Sequence, residues 1–243
     1  MSRNTIQLLM ERTQRGLPID AGTLRECGIT PANATYLTSA GWLQRLSKSV
    51  YLLKGDTLTR DGILAFLSSR LPGIHVGGKT ALAWRGTRHN VAFRERVVLW
   101  GPRPYKFPDW VAQHLLFSYQ TTSIFDDAWS KTRYLKPLPS GQSDVLVSVP
   151  ELALLELASD IGKGQSIEEA ENLVESLRNL RSSVLEECLL HCTRVKVVKL
   201  VRDLGEYSGF SWGKDLQKHV DRLGAGKRWD STNKYGERLS LKP

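Results

Sequence analysis

Eight consecutive residues, Gly73-Ile74-His75-Val76-Gly77-Gly78-Lys79-Thr80, spell a phosphate-binding loop letter for letter, G-x-x-x-x-G-K-[ST]. In such a loop backbone N–H groups surround a phosphate, the lysine meets its charge, and the hydroxyl helps to hold magnesium. That chemistry needs a buried strand before the first glycine and a helix after the last. Here Ser68-Ser69-Arg70-Leu71-Pro72, the end of a helix, precedes Gly73, and the apolar run Ile74-His75-Val76 falls inside the motif. No hydrophobic strand ending in Asp follows. The pattern therefore reads as an accidental match, and Lys79 is expected to face solvent or to cap a neighbouring element. The Gly77-Gly78 pair also has the form that opens many nucleotidyltransferases, which place several carboxylates on two metal ions. The next strand-like run, Val97-Val98-Leu99-Trp100, has no carboxylate. A fold of that kind would be catalytically empty.

Cys188, His191 and Cys192 share one helical face at spacings that suit zinc. No fourth ligand accompanies them, and the surrounding helix is apolar, so they read as core. His75 and His89 lack a Ser or Cys nucleophile with an orienting acid, and read as structural or surface residues. No catalytic residue, metal ligand or cofactor is assigned.

Phosphate of another kind fits better. From Cys27 to Gly55 the chain holds no acidic residue, while Arg45, Lys48 and Lys54 lie on or beside a hairpin pattern. Thr30 before Pro31 is a helix start, and Gly41 supplies the left-handed turn that ends the helix near Ala40. With Ala34 and Leu37 inward, a rotation of about 100° per residue turns Ala32, Thr35, Tyr36 and Ser39 outward and leaves Asn33 and Thr38 at the flanks. Small polar side chains at a helix N-terminus suit base edges and phosphates. Ala32, Asn33, Thr35, Tyr36, Ser39, Arg45, Lys48 and Lys54 are thus the candidate DNA contacts. A second basic run holds Arg85, Arg88, Arg94 and Arg96, which fits either a nucleic-acid or anion contact or a solvated strand edge. Lys227 and Arg228 follow Gly224-Ala225-Gly226, where a backbone nest for an anion or a plain turn fits equally.

The elements around these residues follow from pattern. Ile6, Leu8, Leu9 and Met10 predict a first helix ending near Gly16. Asp20 caps a second helix through Cys27, and Gly28 breaks it before the Thr30–Ala40 helix. Trp42–Leu46 and Val50–Leu53 read as strands joined across Ser47-Lys48-Ser49. Together they have the plan of a winged helix-turn-helix, in which one helix enters the major groove and the hairpin lies on phosphate. A helix over Asp61–Arg70, short strands at Ile74–Val76 and Val97–Trp100, a helix beginning at Thr80, and one or two strands within His114–Phe125 follow. Pro150 opens another helix, and Ser166 with Glu169, and Ser183 with Glu186, have capping-box spacing. The tail after Lys214 is basic and strand-like. The fold class is α+β: a winged helix over residues 1–56 and a mixed α/β, partly helical domain over 57–243.

The 243 residues carry a formal charge of +9 and 41% hydrophobic side chains, enough for an ordinary core and suited to a polyanionic partner. Residues 151–187 run against this balance, with nine acids and three bases. No apolar run spans a bilayer, the N-terminus lacks a signal peptide's pattern, and an odd count of cysteines fits reduced thiols. A soluble cytoplasmic protein without a membrane partner is expected.

Three segments resemble the AbiEi antitoxins of type IV toxin–antitoxin, or abortive-infection, systems. They are GWLQRLSKSVYLL in the hairpin, HVGGKTALAWRGTRH across the Gly-Gly pair, and VKVVKLVRDLGEYSGFSWGKDL with the following LGAGKRW and KYGERLSLKP. The resemblance implies an N-terminal domain that binds promoter DNA and represses its own operon. It also implies a C-terminal domain that helps to neutralise a nucleotidyltransferase toxin, with which the antitoxin need not form a stable complex. Two alternatives stand beside it: a nucleotide-binding enzyme using the Gly73–Thr80 loop, and a transcriptional regulator that senses a ligand.

Overall fold

The computed structural model describes residues 3–87, 95–139, 141–224, 229–232 and 238–241. In chain order come α1 (Arg3–Arg12), β1 (Ile19–Asp20), α2 (Ala21–Glu26), α3 (Pro31–Ser39), β2 (Leu43–Ser47), β3 (Val50–Leu53), α4 (Arg60–Arg70), β4 (His75–Val76), α5 (Gly78–Trp84), β5 (Val97–Trp100), α6 (Asp109–His114) and β6 (Phe117–Gln120). A 3-10 turn (Lys131–Tyr134) leads to β7 (Leu135–Lys136), β8 (Val147–Ser148), α7 (Pro150–Asp160), α8 (Ile167–Glu175), α9 (Ser182–His191), α10 (Val195–Tyr207), α11 (Ser211–Asp215), α12 (Gln217–Leu223), β9 (Trp229–Thr232) and β10 (Arg238–Leu241). The mixture of helix and short strand makes the chain an α+β protein. No helix among the described residues is long and apolar enough to cross a membrane.

Contacts divide the chain into two compact units. One runs to Pro72 and takes in Tyr105–Leu116 and a short piece ending at Val145; the other holds Gly73–Pro104, Phe117–Pro139 and the chain from Leu146 onward. In the first unit a three-stranded antiparallel sheet, ordered β1-β3-β2, backs the helices. Leu9, Ile19, Leu24, Cys27, Ile29, Ala34, Leu37, Leu43, Tyr51 and Leu53 form its core, all drawn from the helices α1–α3, the three strands and their joints. Each large apolar side chain among them contributes roughly 1.5–3 kcal/mol by leaving water. The helix starts are local chemistry: Asp20 Oδ1 accepts from the Thr23 N–H at 2.8 Å, and Thr30 Oγ1 from the Asn33 N–H at 3.3 Å. The compact unit continues past residue 56. The Thr59 hydroxyl caps α4 through the Gly62 N–H at 3.0 Å, a side chain on Gly62 would overlap the Gly16 carbonyl, and Phe66 meets Trp110 edge-on at 5.4 Å.

The second unit is built on a five-stranded sheet ordered β6-β5-β4-β8-β7. Strands β4 and β8, and β5 and β6, run parallel; the β4–β5 and β7–β8 pairs are antiparallel. Helix α7 is buried from Glu151 to Asp160, apolar nearly all round, and packs on α5, α9 and α10. It is the spine of this unit.

The stretch His114–Phe125 holds one strand, β6, in line with expectation. Two local expectations are corrected. Helix α1 stops at Arg12, not Gly16, since the chain turns back at Gly16 with φ +81°. Ser183 does not cap α9. The helix begins at Ser182 after Arg181, whose N–H is taken by the Glu151 carboxylate at 2.7 Å. The acceptor comes from thirty residues earlier in the chain, so no local pattern announces it.

Candidate nucleic-acid interface

Helix α3 buries Ala34 and Leu37 and leaves Ala32, Thr35, Tyr36 and Ser39 exposed, with Asn33 and Thr38 half-buried at the flanks. The outward face is the one the helical period gives. Its hydroxyls are held to the helix: Thr35 Oγ1 donates to the Pro31 carbonyl at 3.1 Å and Ser39 Oγ to the Thr35 carbonyl at 3.2 Å. Each keeps oxygen lone pairs that can accept from a base amino group or a water. The Asn33 side-chain amide makes no hydrogen bond among the described residues, so it retains the donor and acceptor pair that matches adenine. Tyr36 is 64% exposed and presents its ring and hydroxyl beyond the helix surface.

The hairpin that follows is held by its register and its turn. Leu43 faces Leu53 and Arg45 faces Tyr51, with a bulge between Arg45 and Ser47. Ser49 takes φ +65° at the tip, the left-handed conformation that such a tight turn needs. Leu43, Val50, Leu52 and Leu53 are buried, while Gln44, Arg45, Lys48 and Lys54 are exposed. Arg45 Nε donates to the Ser47 carbonyl at 3.3 Å, which steadies the side chain and leaves guanidinium donors free. Among the described residues none of the three cations joins an ion pair. Elsewhere in this unit arginines are paired, Arg15 with Asp56, Arg60 with Asp61 and Arg70 with Asp20. Three cations without an ion-pair partner among the described residues thus lie together on the hairpin that follows α3.

The phosphate-loop look-alike is already filled from inside. The Gly78 N–H at the start of α5 donates to Glu156 Oε2 at 3.0 Å, where a phosphate oxygen would sit in a working loop. The same carboxylate pairs with His75 Nε2 at 2.8 Å and accepts from Ser148 Oγ at 2.9 Å, with Glu156 and His75 both fully buried. Any side chain on Gly77 would overlap Glu156 and Trp100. Lys79 turns to Glu169 on α8 at 3.2 Å, meeting the expectation of a cap on a neighbouring element rather than free solvent. Thr80 Oγ1 accepts from the Val98 N–H at 3.0 Å and lies 3.3 Å from the Arg96 carbonyl. Glycine, lysine and hydroxyl all serve the fold. Sequence reading missed Glu156; the signal was a carboxylate inside the apolar helix PELALLELASD, which only a buried donor set could stabilise.

Arg85 is removed from the nucleic-acid candidates. Its guanidinium donates to the carbonyls of Ser148 at 2.7 Å, Val147 at 2.9 Å and Lys136 at 3.0 Å, tying together the β7–β8 edge. Arg96 is exposed, with Nη1 on the Phe117 carbonyl at 3.2 Å. Arg88, Arg94, Lys227, Arg228 and His89 lie outside the described residues. Glu95 accepts from the Trp84 indole N–H at 2.7 Å. Cys188 and Cys192 are buried thiols, pushed up to about 12 and about 11 by burial, and His191 pairs with Asp126 at 2.9 Å. Among the described residues no three potential ligands converge on a metal position.

A family model described as "Transcriptional regulator, AbiEi antitoxin N-terminal domain" matches residues 2–93. A second, described as "Transcriptional regulator, AbiEi antitoxin, Type IV TA system", matches residues 94–241. No curated protein matches the chain. Among solved structures, that of the RV2827C protein from Mycobacterium tuberculosis is similar at 16% identity with a TM-score of 0.61, covering 92% of this chain and 81% of that one. At that identity the likeness is one of fold.

Proposed function

The chain belongs to the AbiEi antitoxin family of transcriptional regulators in type IV toxin–antitoxin systems, and on that premise we propose that it binds the promoter of its own operon through α3 and the hairpin. It represses that operon and counters a nucleotidyltransferase toxin without a lasting complex between the two. The observation that carries the DNA reading is the pairing of an outward polar face on α3 with three unpaired cations on an acid-free hairpin. Helix α3 enters the major groove, where Asn33, Thr35 and Tyr36 meet base edges and Ala32 and Ser39 lie against the groove wall. Arg45, Lys48 and Lys54 lie on phosphate. Residues 1–56 form the DNA-binding domain, and the chain from 57 onward contributes to neutralisation in the cytoplasm. No nucleotide chemistry is assigned to the Gly73–Thr80 loop, because the Glu156 carboxylate occupies the position a phosphate would need.

Repression and neutralisation are separable on this reading. A promoter–reporter assay and a toxin-rescue growth assay, run on the same variants, test it. Replacing Arg45, Lys48 and Lys54 together by Ala should release the reporter and leave rescue intact. Loss of rescue with repression preserved would contradict it.

A further inference from the structure

The second unit holds a cleft of about 280 Å³, at the small end of ligand-pocket volumes, lined by Trp100–Pro102, residues 121–127, Trp129, Lys131 and Glu156. Its most unusual occupant is Lys131, at the start of the 3-10 turn. Burial lowers its basicity, offset in part by the Glu156 charge, yet its ammonium makes no hydrogen bond or ion pair among the described residues. Lys131 keeps part of its surface in solvent, and a half-buried cation without a partner is stabilised when an anion meets it. Glu156 does not fill that place, because its oxygens are drawn to His75, Gly78 and Ser148. Behind the lining, the Trp100 indole N–H and Asp126 Oδ1 are buried without a hydrogen-bond partner among the described residues.

The walls are fixed rather than loose. Glu187 on α9 accepts from the Trp129 indole N–H at 3.0 Å and the Tyr134 hydroxyl at 2.5 Å, and pairs with Arg133, so it grips the turn on both sides of Lys131. Trp129 stacks on His191 at 5.5 Å, and Asp126 holds the same imidazole through its other oxygen. Lys131 is therefore presented by a braced segment, as a binding group must be.

We propose that this cleft binds a small organic acid, its oxyanion on Lys131 and its body against the aromatic wall. A free phosphate ester would satisfy Lys131 by the same chemistry as a carboxylate. The site is independent of the DNA-binding reading.

Calorimetric titration of the full chain with benzoate, phenyl phosphate and aniline tests the proposal. Benzoate and phenyl phosphate carry an oxyanion on an aromatic ring; aniline has the ring without the anion. Saturable millimolar or tighter binding is expected for benzoate or phenyl phosphate, the tighter of the two naming the source of the oxyanion, and none for aniline. Lys131→Gln should weaken the bound acid by about tenfold or more. In the wild-type chain, acetylation of Lys131 by an N-succinimidyl ester, read by mass spectrometry, should slow when that acid is present. Absence of saturable binding by either acid, or binding of aniline as tight as that of the acids, overturns the proposal. So does equal binding by Lys131→Gln, or labelling of Lys131 that ignores the acid.

Discussion

Glu156 and Lys79 divide the labour that the phosphate-loop letters would have assigned to one site. Glu156 is buried with three donors on it, so Glu156→Ala leaves His75, the Gly78 N–H and Ser148 without their acceptor. Breaking a buried charged network of this kind costs about 3–5 kcal/mol. Lys79 and Glu169 are each about one-third exposed, and such a pair is worth roughly 0–1 kcal/mol. Urea midpoints should therefore fall sharply for Glu156→Ala and hardly move for Lys79→Ala; the reverse order would refute the assignment. Asp160, one turn further along α7, has a different signature. Burial pushes it up to about 7, Glu156 adds to the rise, and Lys163, Lys196 and Lys79 oppose it. Its folded value lies above the unfolded one, so the stability tied to its proton is complete at low pH and is lost as pH rises through about 7. Asp160→Asn, neutral throughout, should gain on the wild type between about pH 4 and about pH 8, by at most about 4 kcal/mol. Urea titrations at both ends measure the gain, and a gain that shrinks as pH rises would contradict the linkage. At this scale the sequence was a poor guide. The motif was visible because it is contiguous, whereas His75 and Glu156 meet across 81 residues.

Helix α3 was the most readable element, for a physical reason: its start, end and faces depend on neighbours in sequence. Thr30 and Pro31 make the start, Gly41 at φ +77° makes the end, and Ala34 with Leu37 fixes the rotation. The cap of α9 was unreadable because Glu151 supplies it from another helix. Helices α10 and α11 show a third case. A side chain on Gly205 would overlap Trp212, and one on Gly213 would overlap the Glu206 backbone. The glycines and tryptophan of VRDLGEYSGFSWGKDL, part of the resemblance to the antitoxin family, thus serve helix packing. On the proposed reading, α3 acts through its outward face. Asn33→Ala, Thr35→Ala and Tyr36→Ala should each weaken promoter binding by roughly 1–3 kcal/mol and random-duplex binding by less. Competition titrations with both DNAs separate the effects. Equal weakening on the two would move specificity to Arg45 or to DNA shape.

Across the whole molecule the charge is arranged rather than spread. The acid-rich stretch 151–187 looks like a solvated acidic face, yet Glu151, Glu156 and Asp160 are buried and serve as internal acceptors or neutral groups. A basic surplus remains, and on the hairpin after α3 it is carried by side chains that join no ion pair among the described residues. Composition could show the surplus but not its location, which depends on which arginines the fold consumes. Arg85 is consumed; Arg45, Lys48 and Lys54 are not. The central claim is that this free charge is placed on promoter phosphate. The most direct measurement is the affinity of the full chain for promoter DNA as a function of salt, for the wild type and for Arg45, Lys48 and Lys54 replaced together by Ala. Each lost phosphate contact should reduce the slope of log affinity against log salt by about 0.9, so the triple variant should lose roughly 2–3. A wild-type affinity indifferent to salt, or a slope unchanged in the variant, would contradict the account.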